Sequence, residues 1–99
     1  MANVEPRNAV PGGSVTVTFQ SMPRPATCSL LVDLPGDIPS LSLGAQTGVS
    51  LGPDMGYGMS WTFTVPGETP AGNGAVWPQC TYPGYEFPQE DLGFNIVLP

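Results

Sequence analysis

Apolar and polar residues alternate strictly in two stretches of this chain, residues 14–20 and 59–65. In the first stretch, Val15, Val17 and Phe19 fall on one side of an extended backbone, and the polar residues between them fall on the other. A period of two residues is typical of a β-strand that is buried on one face only. The 13 prolines leave little room for long helices, because proline interrupts helical hydrogen bonding. The chain is therefore predicted to be all-β.

Further strand-length segments are separated by turns rich in glycine and proline. Additional strands are predicted at residues 4–10, 26–34, 74–82 and 92–98, with two short edge strands within 38–58, around 41–43 and 49–51. Trp61 is assigned to the core, and Pro78 is expected at a bulge or at a sheet edge. Residues 83–91 are predicted to form an irregular loop. About seven short strands with regularly spaced turns predict one β-sandwich domain over residues 1–99.

Two segments resemble bacterial immunoglobulin-like modules. Residues 11–18 read PGGSVTVT, and residues 63–72 read FTVPGETPAG; similar blocks are common in such modules of actinobacterial surface proteins. Related domains are similar to those carried as decoration or tail appendages by bacteriophages of such hosts. The resemblance covers the larger part of the chain. It implies an immunoglobulin-like Greek-key β-sandwich with no shared catalytic residues, and it implies nothing about the loop at 83–91.

Cys28 and Cys80 are the only cysteines. Cys28 lies near the start of the third predicted strand, and Cys80 lies near the end of the sixth. In an immunoglobulin-like sandwich these two strands are antiparallel neighbours, so a disulfide between them is feasible, and we predict it for an oxidising environment. The alternative is two buried free thiols, which also pack well in a core. True immunoglobulin domains bridge the second strand instead, so this placement indicates a distant relative.

The side-chain inventory argues against an enzyme. The chain contains no histidine and no lysine, which excludes catalytic triads, Cys–His pairs, Schiff-base chemistry and the usual zinc sites. Paired carboxylates could serve a glycosidase or bind calcium. The candidates are Asp33 with Asp37, and Glu86 with Glu90 and Asp91. Solvated loop acids are the preferred interpretation, so no catalytic residue, cofactor or metal is predicted.

Eight acidic residues against Arg7 and Arg24 give a formal net charge of −6. Binding to nucleic acid or to an anionic membrane surface needs clustered cations, which two arginines cannot provide. No apolar run approaches the length of a membrane-spanning helix. The sequence therefore predicts neither a nucleic-acid partner nor membrane insertion.

An aromatic segment late in the chain is the first candidate contact surface. Tyr82, Tyr85 and Phe87 stand among prolines and glycines, where not all three can reach the core. Exposed aromatic side chains offer a large contact area at low entropic cost. The alternative is that they fold back over the end of the sandwich. The N-terminal residues Val4 and Val10 are the second candidate, because an edge segment can present an apolar patch.

The predicted function is that of a non-enzymatic virion structural protein. It would be a capsid decoration or tail-associated protein of an actinobacteriophage, located on the virion surface, with capsid or tail proteins as partners. Residues 1–25 lack the basic start and continuous apolar stretch of a signal peptide, which fits release by lysis. The alternative is a binding, adhesion or spacer module, in a narrower version carbohydrate-binding, from a secreted or cell-wall bacterial protein. A host-surface glycan is then a further candidate partner.

Overall fold

A computed structural model describes residues 2–22, 26–82, 85–86 and 92–98. These residues form ten strands and no helix, which confirms the all-β prediction. No helix in this part of the chain is long and apolar enough to cross a bilayer. The strands are β1 (Ala2–Glu5), β2 (Asn8–Ala9), β3 (Ser14–Met22), β4 (Thr27–Asp33), β5 (Leu41–Thr47), β6 (Val49–Ser50), β7 (Tyr57–Thr64), β8 (Gly72–Tyr82), β9 (Tyr85–Glu86) and β10 (Leu92–Ile96).

The strands form two sheets that pack face to face, as predicted for a β-sandwich. The four-stranded sheet has the order β1-β3-β7-β6, and the six-stranded sheet has the order β2-β10-β8-β4-β5, with β9 paired to β8. The pairing of β2 with β10 is parallel, and the other pairings are antiparallel. Strands β5 and β6 therefore lie at the edges of opposite sheets.

The core between the sheets follows from the alternation in the sequence. Val15 and Val17 of β3 are fully buried and pair with Phe63 and Trp61 of β7. Each apolar side chain buried in this way contributes about 1.5–3 kcal/mol of hydrophobic stabilisation. The buried cluster consists of Val4, Ala9, Val15, Val17, Phe19, Ala26, Cys28, Leu30, Val32, Leu34, Met59, Trp61, Phe63, Val65, Val76, Phe94 and Ile96.

Aromatic contacts join the two sheets across the core. The rings of Phe63 in the four-stranded sheet and Phe94 in the six-stranded sheet meet edge to face, with centroids 6.1 Å apart. Phe94 lies over Gly74 of the neighbouring strand, where a Cβ atom would stand 2.7 Å from the ring. Gly74 is needed at this position because any side chain would displace the ring from the core.

The strand predicted over residues 4–10, interrupted by proline and suited to an edge, is correct in its interruption and edge position and wrong as one strand. The segment forms two short strands, β1 in the four-stranded sheet and β2 in the six-stranded sheet. Pro6 has no N–H with which to continue the ladder. The change of sheet also lets both Val4 and Ala9 face the core, whereas positions five apart in one continuous strand face opposite sides.

The two edge strands predicted in the middle of the chain are present, but the first is longer than predicted. Strand β5 extends to Thr47, and its register against β4 shifts after Leu43, so that the segment around Gly44 forms a β-bulge. Leu41 and Leu43 pack against the core, whereas residues 44–47 are exposed. The periodic signal ends at the bulge because neither face of the strand is buried beyond it.

Pro78 occupies an edge-like position in an otherwise central strand. The Cα atoms of Cys28 and Cys80 are 4.0 Å apart, which marks a pair without mutual backbone hydrogen bonds. Leu30 and Pro78, two residues further along, form a pair of the same kind. The nitrogen of Pro78 therefore points toward β10, whose described pairing with β8 ends at Val76. The missing N–H therefore costs no hydrogen bond to β4 or to the described residues of β10.

Thr69 carries a buried hydroxyl in the turn between β7 and β8. The residue is 2% exposed, and its Oγ1 atom has no hydrogen-bond partner among the residues that the structure describes. A buried polar group without a partner is destabilising. We expect Thr69→Val, which replaces the hydroxyl with a methyl group, to raise the free energy of unfolding by about 1 kcal/mol in urea denaturation.

The matched control for this position is Thr69→Ser. Serine keeps the hydroxyl and removes the buried methyl group, so it is expected to lower the free energy of unfolding by about 0.8 kcal/mol. If the two variants change the free energy of unfolding in opposite directions, the stabilisation by Thr69→Val is due to removal of the hydroxyl. Destabilisation by both variants would mean that the hydroxyl has a favourable partner.

Candidate functional site

A groove of about 530 Å³ lies at one end of the four-stranded sheet, lined by residues of β3, β6 and β7, the turn after β6 and the last two residues of β5. We call it the edge groove and define it by six of its lining residues. These are Phe19, Gln46, Val49, Leu51, Met55 and Met59. Small-molecule and peptide sites in proteins are typically concave and mainly apolar, with a few polar groups on the wall. The edge groove has this composition.

The floor and the rim of the edge groove differ sharply in exposure. Phe19 and Met59 form the floor as the outer end of the hydrophobic core, and they are 6% and 7% exposed. Val49, Leu51 and Met55 stand on the rim and are 63%, 43% and 58% exposed. Three large apolar side chains grouped around an apolar floor make a contiguous exposed patch, and such patches mark interaction sites.

The rim is held by a hydrogen-bonded turn after β6. The N–H of Leu51 donates to the carbonyl of Gly56 at 2.9 Å, and the N–H of Met55 donates to the carbonyl of Gly52 at 3.1 Å. Asp54 has a φ of 60°, which its short polar side chain tolerates. Met55 is therefore presented from an ordered backbone, and a preorganised contact loses less entropy on binding.

Gly58 lets the rim approach the floor closely. A Cβ atom at this position would lie 2.8 Å from the carbonyl oxygen of Phe19 and 3.1 Å from a methyl group of Leu51. The side chain of Leu51 thus occupies the space that a larger residue at position 58 would fill. Glycine is needed at position 58 because the backbone oxygen of Phe19 cannot move aside for a side chain.

Trp61 lies next to the floor of the edge groove and ties β5 to the opposite sheet. Its ring lies edge to face with Phe19, with centroids 5.4 Å apart. Its Nε1–H donates to the carbonyl of Gly44 at 2.9 Å, across from β7 to the bulge of β5. Trp61 therefore contacts Phe19 in the floor of the edge groove and also holds β5, the edge strand of the other sheet. In this way a core side chain sets the distance between the two sheets at this end.

The surroundings of the edge groove are almost uncharged. Residues 38–53 contain no acidic or basic side chain, and Asp54 follows at the tip of the turn beside the rim. Such a surface fits an apolar partner segment, and an acidic rim residue favours a basic group on that partner. The acids that the sequence offered as carboxylate pairs, Asp33 and Asp37, lie outside the groove lining.

Val4 and Val10, predicted as one contact surface, are separated by the structure. Val4 is 4% exposed and belongs to the core, so it cannot contribute to an exposed patch. Val10 is 38% exposed and lies next to the end of β10, where Val97 and Leu98 are 38% and 67% exposed. Val97 is held there by donating its N–H to the carbonyl of Ala9 at 2.8 Å.

The predicted aromatic loop is in part a hairpin. Tyr82 ends β8 and pairs with Tyr85 of β9, so the prediction of an irregular segment throughout residues 83–91 is wrong for Tyr85 and Glu86. Phe87, the third member of the predicted surface, lies outside the described residues.

Cys28 and Cys80 are joined by a disulfide in the structure. They are direct register partners on β4 and β8, so the bridge lies within the six-stranded sheet and does not connect the two sheets. Cys28 is fully buried. In the described part of the chain, no three acidic, Cys or His side chains lie close enough together to hold a metal ion.

Sequence reasoning missed the rim residues of the edge groove. The sequence predicts a short edge strand at Val49 and Leu51 without assigning it a function, and no pattern marks Met55. One feature of the sequence does indicate them. These apolar residues fall between glycines, in a segment without the regular alternation that is typical of a strand with one buried face. The groove forms where the edges of two different sheets meet. A local sequence pattern does not encode such a contact between separate segments.

Neither protein-family models nor curated protein sequences match this chain.

Proposed function

We propose that this chain is a non-enzymatic domain of immunoglobulin-like Greek-key topology that binds another protein through the edge groove. The observation that carries the proposal is the exposure of Val49, Leu51 and Met55 on hydrogen-bonded backbone above an apolar floor. Exposing large apolar side chains to water is unfavourable, and a partner that covers them recovers that free energy.

The strand order supports the immunoglobulin-like assignment. Lettering the strands in chain order makes the four-stranded sheet A-B-E-D and the main path of the six-stranded sheet A′-G-F-C-C′. The first strand divides between the two sheets, with its second half parallel to the last strand. The disulfide between β4 and β8 departs from that pattern, because immunoglobulin domains join the two sheets through the second strand.

The residue inventory supports a binding role over a catalytic one. The sequence has no histidine and no lysine, which removes the usual general base near neutral pH and the usual amine nucleophile. The carboxylate of Asp33, one of the acids considered for a catalytic pair, accepts a hydrogen bond from the hydroxyl of Ser40. The domain is proposed to act by contact alone.

We propose the surface of a virion as the setting, with the chain as a capsid decoration or tail-associated protein. The resemblance to appendage domains of actinobacteriophages supports this setting. A decoration protein also needs an apolar or extended-edge patch that faces the shell, and the edge groove with the neighbouring strand β5 offers both. The net charge of −6 keeps the exposed remainder of the domain from associating with copies of itself.

A second candidate setting is a secreted or cell-wall protein in which this domain is a binding or spacer module. The disulfide favours it, because disulfides persist in oxidising surroundings outside the cytoplasm. A released virion meets the same surroundings, so the disulfide agrees with both settings. The two settings differ in where the chain is found: in virions, or in an exported bacterial protein.

The test of the setting is the protein content of purified particles. Denaturing gel electrophoresis of virions from a lysate, with peptide mass spectrometry of the bands, is expected to find this chain in many copies per particle. Detection of the chain only as part of a longer exported protein, and never in particles, would contradict the virion setting and favour the cell-wall one. Genomic neighbours that encode capsid or tail proteins are the expected accompanying observation.

A further inference from the structure

Two methionines line the edge groove, and they differ widely in exposure. Met55 on the rim is 58% exposed, whereas Met59 in the floor is 7% exposed. Of the four methionines in the chain, these are the two whose side chains the structure describes. Exposure decides how readily an oxidant in solution reaches a thioether sulfur. The edge groove therefore holds an accessible methionine at its rim and a protected one in its floor.

The surroundings of Met55 make it the first target of an oxidant among the described sulfur atoms. Both cysteines are joined in the bridge between Cys28 and Cys80, so no free thiol competes with it. The N–H of Met55 donates to the carbonyl of Gly52, which fixes its backbone in the turn. A Cβ atom at Gly52 would lie 3.5 Å from the Cγ atom of Met55, so this side chain lies over the turn and not in the core.

We propose that Met55 is an oxidation site that switches off binding through the edge groove. Hydrogen peroxide transfers one oxygen atom to the sulfur: an S–O bond forms, the O–O bond breaks, and the second oxygen leaves as water. The sulfur loses two electrons, which the peroxide gains, and the product is methionine sulfoxide. The inference rests on the proposed protein-binding role of the edge groove and adds the regulation of that site.

The sulfoxide opposes binding because it places a polar group on an apolar rim. A partner that covers the rim would bury the S–O group beside Val49 and Leu51, whose side chains donate no hydrogen bond. The carboxylate of Asp54, the preceding residue, is also an acceptor when ionised. A buried acceptor without a donor is unfavourable, so we expect oxidation to weaken binding at least about tenfold.

The first measurement compares the oxidation rates of the two methionines in the folded chain. The chain is treated with limiting hydrogen peroxide, then denatured, reduced and digested with chymotrypsin, which cleaves after aromatic residues. Tyr57 lies between Met55 and Met59, so the two methionines fall on different peptides. Mass spectrometry is expected to show oxidation of Met59 at least about fivefold slower than that of Met55. In the urea-denatured chain, where both are exposed, we expect equal rates.

The second measurement is the copy number of treated and untreated chains on particles. We expect at least about tenfold fewer copies once Met55 is fully oxidised. Met55→Leu keeps an apolar side chain of similar volume and cannot form a sulfoxide, so its treated and untreated forms are expected to bind alike. Met59→Leu is the matched control in the floor, and peroxide is expected to reduce its binding as it does for the wild-type chain.

The proposal is overturned if Met55 and Met59 oxidise at the same rate in the folded chain, or if treated and untreated wild-type chains bind particles equally. It is also overturned if peroxide reduces the binding of Met55→Leu as much as that of the wild-type chain, because the loss then comes from another residue. These outcomes leave the protein-binding role standing. Absence of the untreated wild-type chain from particles, by contrast, contradicts the proposed virion role and the switch with it.

Discussion

Trp61→Ala is expected to lower the free energy of unfolding by about 3–5 kcal/mol, the usual cost of removing a buried tryptophan. The side chain is 5% exposed, and its ring contacts Phe19 edge to face. It also donates the hydrogen bond that ties the Gly44 carbonyl of β5 to the opposite sheet. The variant therefore leaves a cavity and removes the hydrogen bond that ties β5 to the opposite sheet. Urea denaturation followed by circular dichroism measures the change.

Trp61→Phe separates the hydrogen bond from the packing. Phenylalanine keeps an aromatic ring but has no N–H for the Gly44 carbonyl, so we expect a smaller loss of about 1–3 kcal/mol. Trp77→Ala is the matched control on the solvent side of the other sheet, and because Trp77 is 37% exposed we expect a smaller loss of about 1–2 kcal/mol. Equal losses for Trp61→Ala and Trp77→Ala would contradict the assignment of Trp61 to the core and Trp77 to the surface.

Loss of the disulfide is expected to lower the free energy of unfolding by about 4 kcal/mol. Cys28 and Cys80 are 52 positions apart, so the bridge removes much of the conformational entropy of the unfolded chain. The double variant Cys28→Ala, Cys80→Ala is expected to show this loss in urea denaturation. For the wild-type chain, added reductant is expected to reproduce it.

Two controls test whether the effect belongs to the bridge. The double alanine variant is expected to be insensitive to reductant, because it has no disulfide to lose. Labelling of the denatured wild-type chain with a thiol reagent is expected to modify neither cysteine until reductant is added. Modification of both cysteines without reductant would show that the two buried free thiols, the alternative interpretation of the sequence, are correct.

The central strands could be predicted from the sequence because their environment is encoded locally. Strands β3 and β7 each have one face on the core and one in water, so every second residue is apolar, and the inward positions of Val17 and Trp61 follow directly. The pairing of Cys28 with Cys80 could be anticipated from strand order, since neighbouring antiparallel strands bring the start of one to the end of the other.

The parts that could not be predicted depend on contacts between distant segments. The N-terminal segment divides between two sheets because β2 pairs with β10, which lies at the other end of the chain. Beyond the bulge at Gly44, β5 has no buried face and hence no periodic pattern. The rim of the edge groove is defined by the approach of two sheet edges, and the exposure of Met55 depends on that approach.

The copy number of this chain on assembled particles tests the proposed role most directly. Quantitative mass spectrometry of particles would compare the wild-type chain with Met55→Asp, in the edge groove, and Thr64→Asp, on the outer face of the four-stranded sheet. We expect many copies of wild type and Thr64→Asp, and at least about a tenfold loss for Met55→Asp, because an unpaired charge buried in an interface costs several kcal/mol. Equal occupancy by all three chains, or absence of the wild-type chain from particles, would contradict the proposal.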